Sequence, residues 1–174
     1  MEPSREPNFA GPSVAWRRER LIMHVLFVCS GNTCRSPLAE VAFRRLLHEA
    51  GRSDITVSSA GTGAYNGSPA SEGTFLVGLE EGLDLSAHRA RLLDEKLVAE
   101  ADLVLTMARG HHARVCRLGG EGRVWLLGDY ARAVEPVEVR DPFGGEVSVY
   151  RDTLEQLTGL LTAARDRLLA EHPA

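Results

Sequence analysis

The sequence predicts an α/β fold: a single domain whose four-stranded parallel sheet is flanked by helices on both faces. Short apolar runs alternate with apolar residues at helical spacing along the chain, the pattern of strand–helix–strand units. At 174 residues the chain is long enough for one full hydrophobic core. It has no internal repeat and no second compositional block that would mark another domain.

Each element follows from local pattern. His24–Val28 is almost continuously apolar, as a strand buried on both faces must be. From Pro37 the spacing changes, and Ala39, Phe43, Leu46, Leu47 and Ala50 recur as on a helix. Gly51 ends that helix. Ile55–Ser58 reads as a second strand, followed by a Gly- and Ser-rich loop through Ala70. Ser71–Glu81 is a helix closed by Gly82, Leu103–Thr106 a third strand, Arg109–Arg117 a helix and Arg123–Leu127 a fourth strand. The stretch Gly128–Glu146 is too long for a plain connector. Beyond it Leu154, Leu157, Leu161, Ala164 and Leu168 lie on one face of a terminal amphipathic helix.

Composition narrows the function classes. Hydrophobic residues make up 44% and charged residues 25% of the chain, ordinary for a globular protein, and the net charge is −4. Without a basic stripe, nucleic acid is not expected as a partner. The apolar runs are too short to cross a bilayer, so no membrane partner is expected either. The three cysteines, Cys29, Cys34 and Cys116, are odd in number and lack CxxC spacing. They fit a reducing cytoplasm and argue against a structural metal. Residues 1–22 are rich in Pro, Arg and Glu and lack the apolar core of a secretory signal; they read as a disordered extension to a domain spanning 23–174. Met23 is an alternative start.

The chemistry concentrates in CSGNTCRSP, Cys29–Pro37. In a parallel sheet a ligand binds at the carboxyl ends of the strands, where Cys29 falls. Successive N–H groups of Ser30, Gly31, Asn32, Thr33 and Cys34 can converge into an anion-binding nest. The following helix points its positive end at the same spot, and Arg35 adds a planar fork that matches two phosphate oxygens. All three would also stabilise a Cys29 thiolate, so one loop would both activate a nucleophile and bind the dianion it attacks. Gly31 allows close backbone approach, Asn32 tolerates left-handed backbone, and Ser36 can donate its hydroxyl to the sulfur.

Residues 24–170 resemble the low-molecular-weight protein phosphatases in the order of elements and in CSGNTCRSP, with DPFGG at Asp141–Gly145 as a second motif and SSAG at Ser58–Gly61 as a weaker third. The resemblance implies Cys29, Arg35 and Asp141 as catalytic residues, a cysteinyl-phosphate intermediate and no cofactor or metal. Asp141 would be the general acid, with Asp129 a weaker candidate.

Within the family, a threonine at the position of Thr33 resembles the bacterial protein-arginine-phosphatase subgroup, whereas tyrosine-specific members commonly carry isoleucine. A hydroxyl suits a guanidinium rich in N–H donors better than a flat phenyl ring. Tyr65 and Phe143, where tyrosine-specific relatives place aromatics, argue the other way. The expectation is therefore a protein phosphatase acting on phosphoarginine, with a protein-tyrosine phosphatase as the alternative. An arsenate reductase and a non-catalytic phosphate-binding module rank lower, the former because only Cys116 follows the loop. Implied partners are phosphorylated proteins and, indirectly, an opposing protein-arginine kinase; a monomer is expected.

Cys34 is expected as a small buried residue or as a redox partner that captures oxidised Cys29. Cys116 reads as core. His111 and His112 read as a surface pair, and His88, Arg89 and Arg91 as a solvated basic patch.

Overall fold

The structure is a computed structural model that describes residues 22–135 and 137–174; the expected N-terminal extension, apart from Ile22, lies outside the described residues. Four parallel strands, β1 (Met23–Cys29), β2 (Ile55–Gly61), β3 (Leu103–Thr106) and β4 (Val124–Leu126), form one sheet in the order β2-β1-β3-β4. The helices are α1 (Arg35–Glu49), α2 (Glu72–Glu80), α3 (Glu95–Glu100), α4 (Arg109–Arg117), α5 (Leu127–Tyr130) and α6 (Val147–Glu171).

The apolar run of β1 divides by parity between two cores, because successive side chains point to opposite faces. Val25, Phe27 and Cys29 join the core built with α1, α2 and α6, where Phe27 meets Phe43 edge-on at 5.4 Å between ring centres. Leu26 and Val28 join the smaller core formed with Val98 of α3 and Val115 of α4. Helices thus cover both faces, as the unbroken hydrophobicity of the central strand requires.

The strand and helix assignments hold, with differences that have local causes. β2 continues past Ser58 to Gly61, since its ladder with β1 runs on to the Cys29–Gly61 pair. α3 was not expected: its six residues are too few for a periodic apolar face, and it is held by Asp94, whose carboxylate accepts from the Leu97 N–H at 2.8 Å. The long segment after β4 begins with α5 rather than with loop.

Gly61 shows why the end of β2 matters. Gly63 N–H donates to the Ser30 carbonyl and Thr62 N–H to the Cys29 carbonyl, both at 2.9 Å, so the two chains run very close where β1 ends. A Cβ on Gly61 would sit 2.5 Å from the Ser30 oxygen and 2.8 Å from the Asn32 nitrogen, both backbone atoms with no room to move. Gly61→Ala is expected to cost about 1–3 kcal/mol of stability through this overlap. Because the displaced atoms belong to the Ser30–Asn32 turn, loss of any activity centred on Cys29 should exceed the loss of folded protein. Denaturant melts run beside activity assays check this.

Candidate active site

The turn between β1 and α1 is organised by Asn32. Its side chain is fully buried and its φ is +54°, a left-handed conformation that asparagine tolerates better than most residues. The amide nitrogen donates to Ser36 Oγ at 2.8 Å and to Ser59 Oγ at 2.9 Å, and the amide oxygen accepts from the Arg91 N–H at 2.9 Å. The Asn32 carbonyl lies 2.7 Å from His88 Nε2. Three segments of chain, the start of α1, β2 and the His88–Arg91 stretch, therefore meet on one residue of the turn.

Cys29 lies at the floor of the turn, buried, with its Sγ 2.9 Å from Ser36 Oγ. Ser36 accepts from Asn32, and its own hydroxyl proton can go to the sulfur or, at 3.4 Å, to the Ala60 carbonyl. The turn leads directly into α1, fifteen residues long, whose positive end lies at the thiol. Among the described residues nothing accepts from the backbone N–H groups of Gly31, Asn32, Thr33 or Cys34. They are free for an anion.

Arg35 is buried beside this turn. Nη1 donates to the Val139 carbonyl at 3.2 Å, and Nη2 to Asp141 Oδ2 at 3.1 Å and, more weakly, to Ser30 Oγ at 3.4 Å. Nε is buried without a partner among the described residues. Asp141 is half exposed and also accepts from the Phe143 N–H at 3.1 Å. Its loop is tied down by the Val139 N–H donating to the Met107 carbonyl at 2.8 Å. A cavity of about 370 Å³ opens above the thiol, with Cys29, Thr33, Arg35, Asp141 and Phe143 in its walls. The arrangement combines a buried thiol, a ring of open N–H groups with a guanidinium, and a carboxyl group in one hollow.

Most of the expected site residues meet there. Thr33 faces the cavity, and Phe143 stands 78% exposed at its edge. Tyr65 is 84% exposed and does not line the hollow. Cys34 is buried with its thiol 3.2 Å from Ser71 Oγ and 3.9 Å from the Tyr150 hydroxyl, and both loop cysteines are free thiols. Asp129 is exposed on α5 and absent from the cavity wall. Cys116 is only partly buried, against the smaller core.

Two expectations are corrected. His88 and Arg91 are not a solvated patch: besides their contacts with Asn32, the Arg91 guanidinium donates to the Ser59 carbonyl at 3.0 Å, and only Arg89 stays exposed. Both residues lie far along the chain from the turn they support, so no local pattern marks them. His111 and His112 are not a surface pair either. His111 is buried, with Nε2 2.8 Å from Ser30 Oγ, while His112 is partly exposed. The one available signal was the position of His111, just after the carboxyl end of β3.

Burial pushes His111 down to about 4 from the ordinary 6.5, with the Arg35 charge acting in the same direction and Asp141 and Glu138 opposing. The native state therefore holds fewer protons than the unfolded chain between these values. Stability linked to His111 is complete above about pH 6.5 and is lost as the pH falls towards 4. In thermal melts across that window, His111→Gln, which cannot take up the proton, should show a smaller acid-induced fall in Tm than the parent protein.

Comparison with known proteins agrees with this geometry. The family model described as low molecular weight phosphotyrosine protein phosphatase matches residues 24–172. The low molecular weight protein-tyrosine-phosphatase PtpB of Staphylococcus haemolyticus is 35% identical over 144 residues, 82% of this chain and 98% of that protein. The protein-arginine-phosphatase of Bacillus subtilis is 36% identical over 141 residues, 80% of this chain and 92% of its own. A solved YwlE arginine phosphatase, a cysteine-to-serine mutant with a phosphorylated active-site serine, superposes with a TM-score of 0.80 at 32% identity, covering 87% of this chain and 98% of that one. The coverage is nearly end to end for each relative, and the chain belongs to the low molecular weight phosphotyrosine protein phosphatase family.

Proposed function

We propose that this phosphoprotein phosphatase works through a cysteinyl-phosphate on Cys29 and prefers phosphoarginine to phosphotyrosine. The observation that carries the mechanism is Arg35, a buried guanidinium whose Nε has no partner among the described residues, beside a thiol and a set of open loop N–H groups. A phosphoryl dianion satisfies all of these at once.

Arg35 pairs with Asp141. The incoming phosphoryl group takes over Arg35 and releases the Asp141 carboxyl towards the leaving group. Asp141, once freed from Arg35, takes up a proton from solvent; Cys29 Sγ attacks phosphorus, the P–N bond of phosphoarginine breaks, and Asp141 passes that proton to the departing guanidino nitrogen. Asp141 then takes a proton from water as its oxygen attacks phosphorus. The S–P bond breaks, and the Ser36 hydroxyl, 2.9 Å from Sγ, stabilises the departing thiolate.

The arginine preference rests on Thr33, whose side chain lines the cavity where a substrate nitrogen would lie, and on the likeness to the Bacillus subtilis protein-arginine-phosphatase. Phe143 at the rim offers a face on which a guanidinium stacks as readily as a phenyl ring; Tyr65 is a second aromatic further out. The protein would act as a cytoplasmic monomer, reversing the work of a protein-arginine kinase. Among the described residues no helix is long and apolar enough to cross a membrane. A redox role for Cys34 is a further part of this reading, with capture of oxidised Cys29 as a disulfide.

Two experiments test the proposal. Values of kcat/KM on matched phosphoarginine and phosphotyrosine peptides should favour arginine by about tenfold or more, and Thr33→Ile should erase that preference. A parent that prefers phosphotyrosine would overturn the substrate assignment and leave the chemistry standing. For the mechanism, Cys29→Ser should abolish turnover, and Asp141→Asn should lower kcat by roughly a hundredfold or more. A Cys29→Ser protein that still turns over would rule out the cysteinyl intermediate.

A further inference from the structure

His111 is a buried, chemically versatile group that the reaction described above does not use. It lies in the first turn of α4, yet its ring reaches back to the phosphate loop, with Nε2 2.8 Å from Ser30 Oγ. Ser30 Oγ in turn lies 3.4 Å from Arg35 Nη2. Arginine can only donate, so Ser30 is the acceptor in that contact, and its single hydroxyl proton remains for the imidazole. A neutral His111 that accepts at Nε2 satisfies both ends of the chain. Its other nitrogen, Nδ1, is buried with no partner among the described residues.

The same turn also holds the acid loop. Arg109 N–H donates to the Glu138 carboxylate at 2.7 Å, Val139 N–H donates to the Met107 carbonyl, and the Val139 carbonyl is the acceptor for Arg35 Nη1. The guanidinium is thus held on one edge by Val139 and on the other by a contest between Ser30 and Asp141. Without a group to fix the Ser30 hydroxyl, that rotor turns freely and Asp141 wins the contest.

We propose that His111 is a positioning residue for phosphoryl binding: it orients the Ser30 hydroxyl, which holds the Nη2 edge of Arg35 towards the loop. His111 does not touch substrate, and the inference rests on the phosphate-binding reading of the loop given above. Its effect falls on binding of the phosphoryl group, upstream of proton transfer by Asp141.

The test is direct calorimetric binding of orthophosphate, with kcat and KM on para-nitrophenyl phosphate measured alongside. His111→Phe keeps a ring of similar size but removes the acceptor. It should weaken orthophosphate binding and raise KM by about tenfold, with a smaller change in kcat. His111→Gln, whose terminal amide can supply an acceptor near the position of Nε2, should recover most of the affinity. Ser30→Ala should show the same loss as His111→Phe, and adding His111→Phe to it should cost little more, because the two residues act in series. Parental phosphate affinity in His111→Phe, or an undiminished loss in the Ser30→Ala background, would overturn the proposal. If His111→Phe does not fold, Ser30→Ala decides alone, since it alters an exposed side chain; parental affinity there overturns the relay. A parent that binds orthophosphate but hydrolyses neither para-nitrophenyl phosphate nor a phosphoarginine peptide would instead count against the catalytic reading, and the binding series would still judge His111.

Discussion

The buried amide of Asn32 is the constraint on which the rest of the site depends. A loop that aims several N–H groups at one point forgoes ordinary backbone hydrogen bonds and needs another source of rigidity. Asn32 supplies it by using both ends of its amide and its own carbonyl, tying the loop to Ser36, to Ser59 of β2 and to the His88–Arg91 segment. The contact with Ser36 also sets the direction of the hydroxyl that faces Cys29. One side chain thereby fixes the shape of the cradle and the surroundings of the nucleophile, and a change there would reach both.

The sheet supplies the second level of order. Cys29 shares a face with Val25 and Phe27, so the thiol is located by the same alternation that fills the larger core. A slip of one residue in the β1–β2 ladder would turn Cys29 away and place the wrong side chains in both cores at once. The absence of a side chain at Gly61 completes the arrangement by letting the loop lie directly against the end of β2. Hydrophobic burial and site geometry here have a single structural origin.

How much could be read beforehand follows from the distance over which each feature is encoded. The strands, the longer helices and the Cys29–Pro37 loop are local patterns, and all of them were legible. DPFGG by itself is only a turn signal, and its place beside the site was expected from the family resemblance; Asp141 and Phe143 do line the cavity. α3 was missed because six residues give too little periodicity, although Asp94 followed by Leu97 was a usable capping signal. His88, Arg91 and His111 were misjudged for a different reason. Each acts across more than fifty positions of sequence, and their neighbours are polar enough to look like solvated surface. Histidine and arginine are ambiguous in this way: their spacing indicates exposure, while their hydrogen-bond partners become visible only when strands β2 and β3 flank β1.

The Arg35–Asp141 ion pair has a further consequence for discrimination. The site contains a competitor for its own arginine, tethered by the Asp141 loop at a high effective concentration. Any anion that enters must outbid that carboxylate for the guanidinium. A doubly charged phosphoryl group can do so, because it engages the loop N–H groups as well as the guanidinium. A singly charged carboxylate offers the arginine little that Asp141 does not already provide. Selection for charge thus begins in the resting protein, before the rim residues examine what the phosphate is attached to.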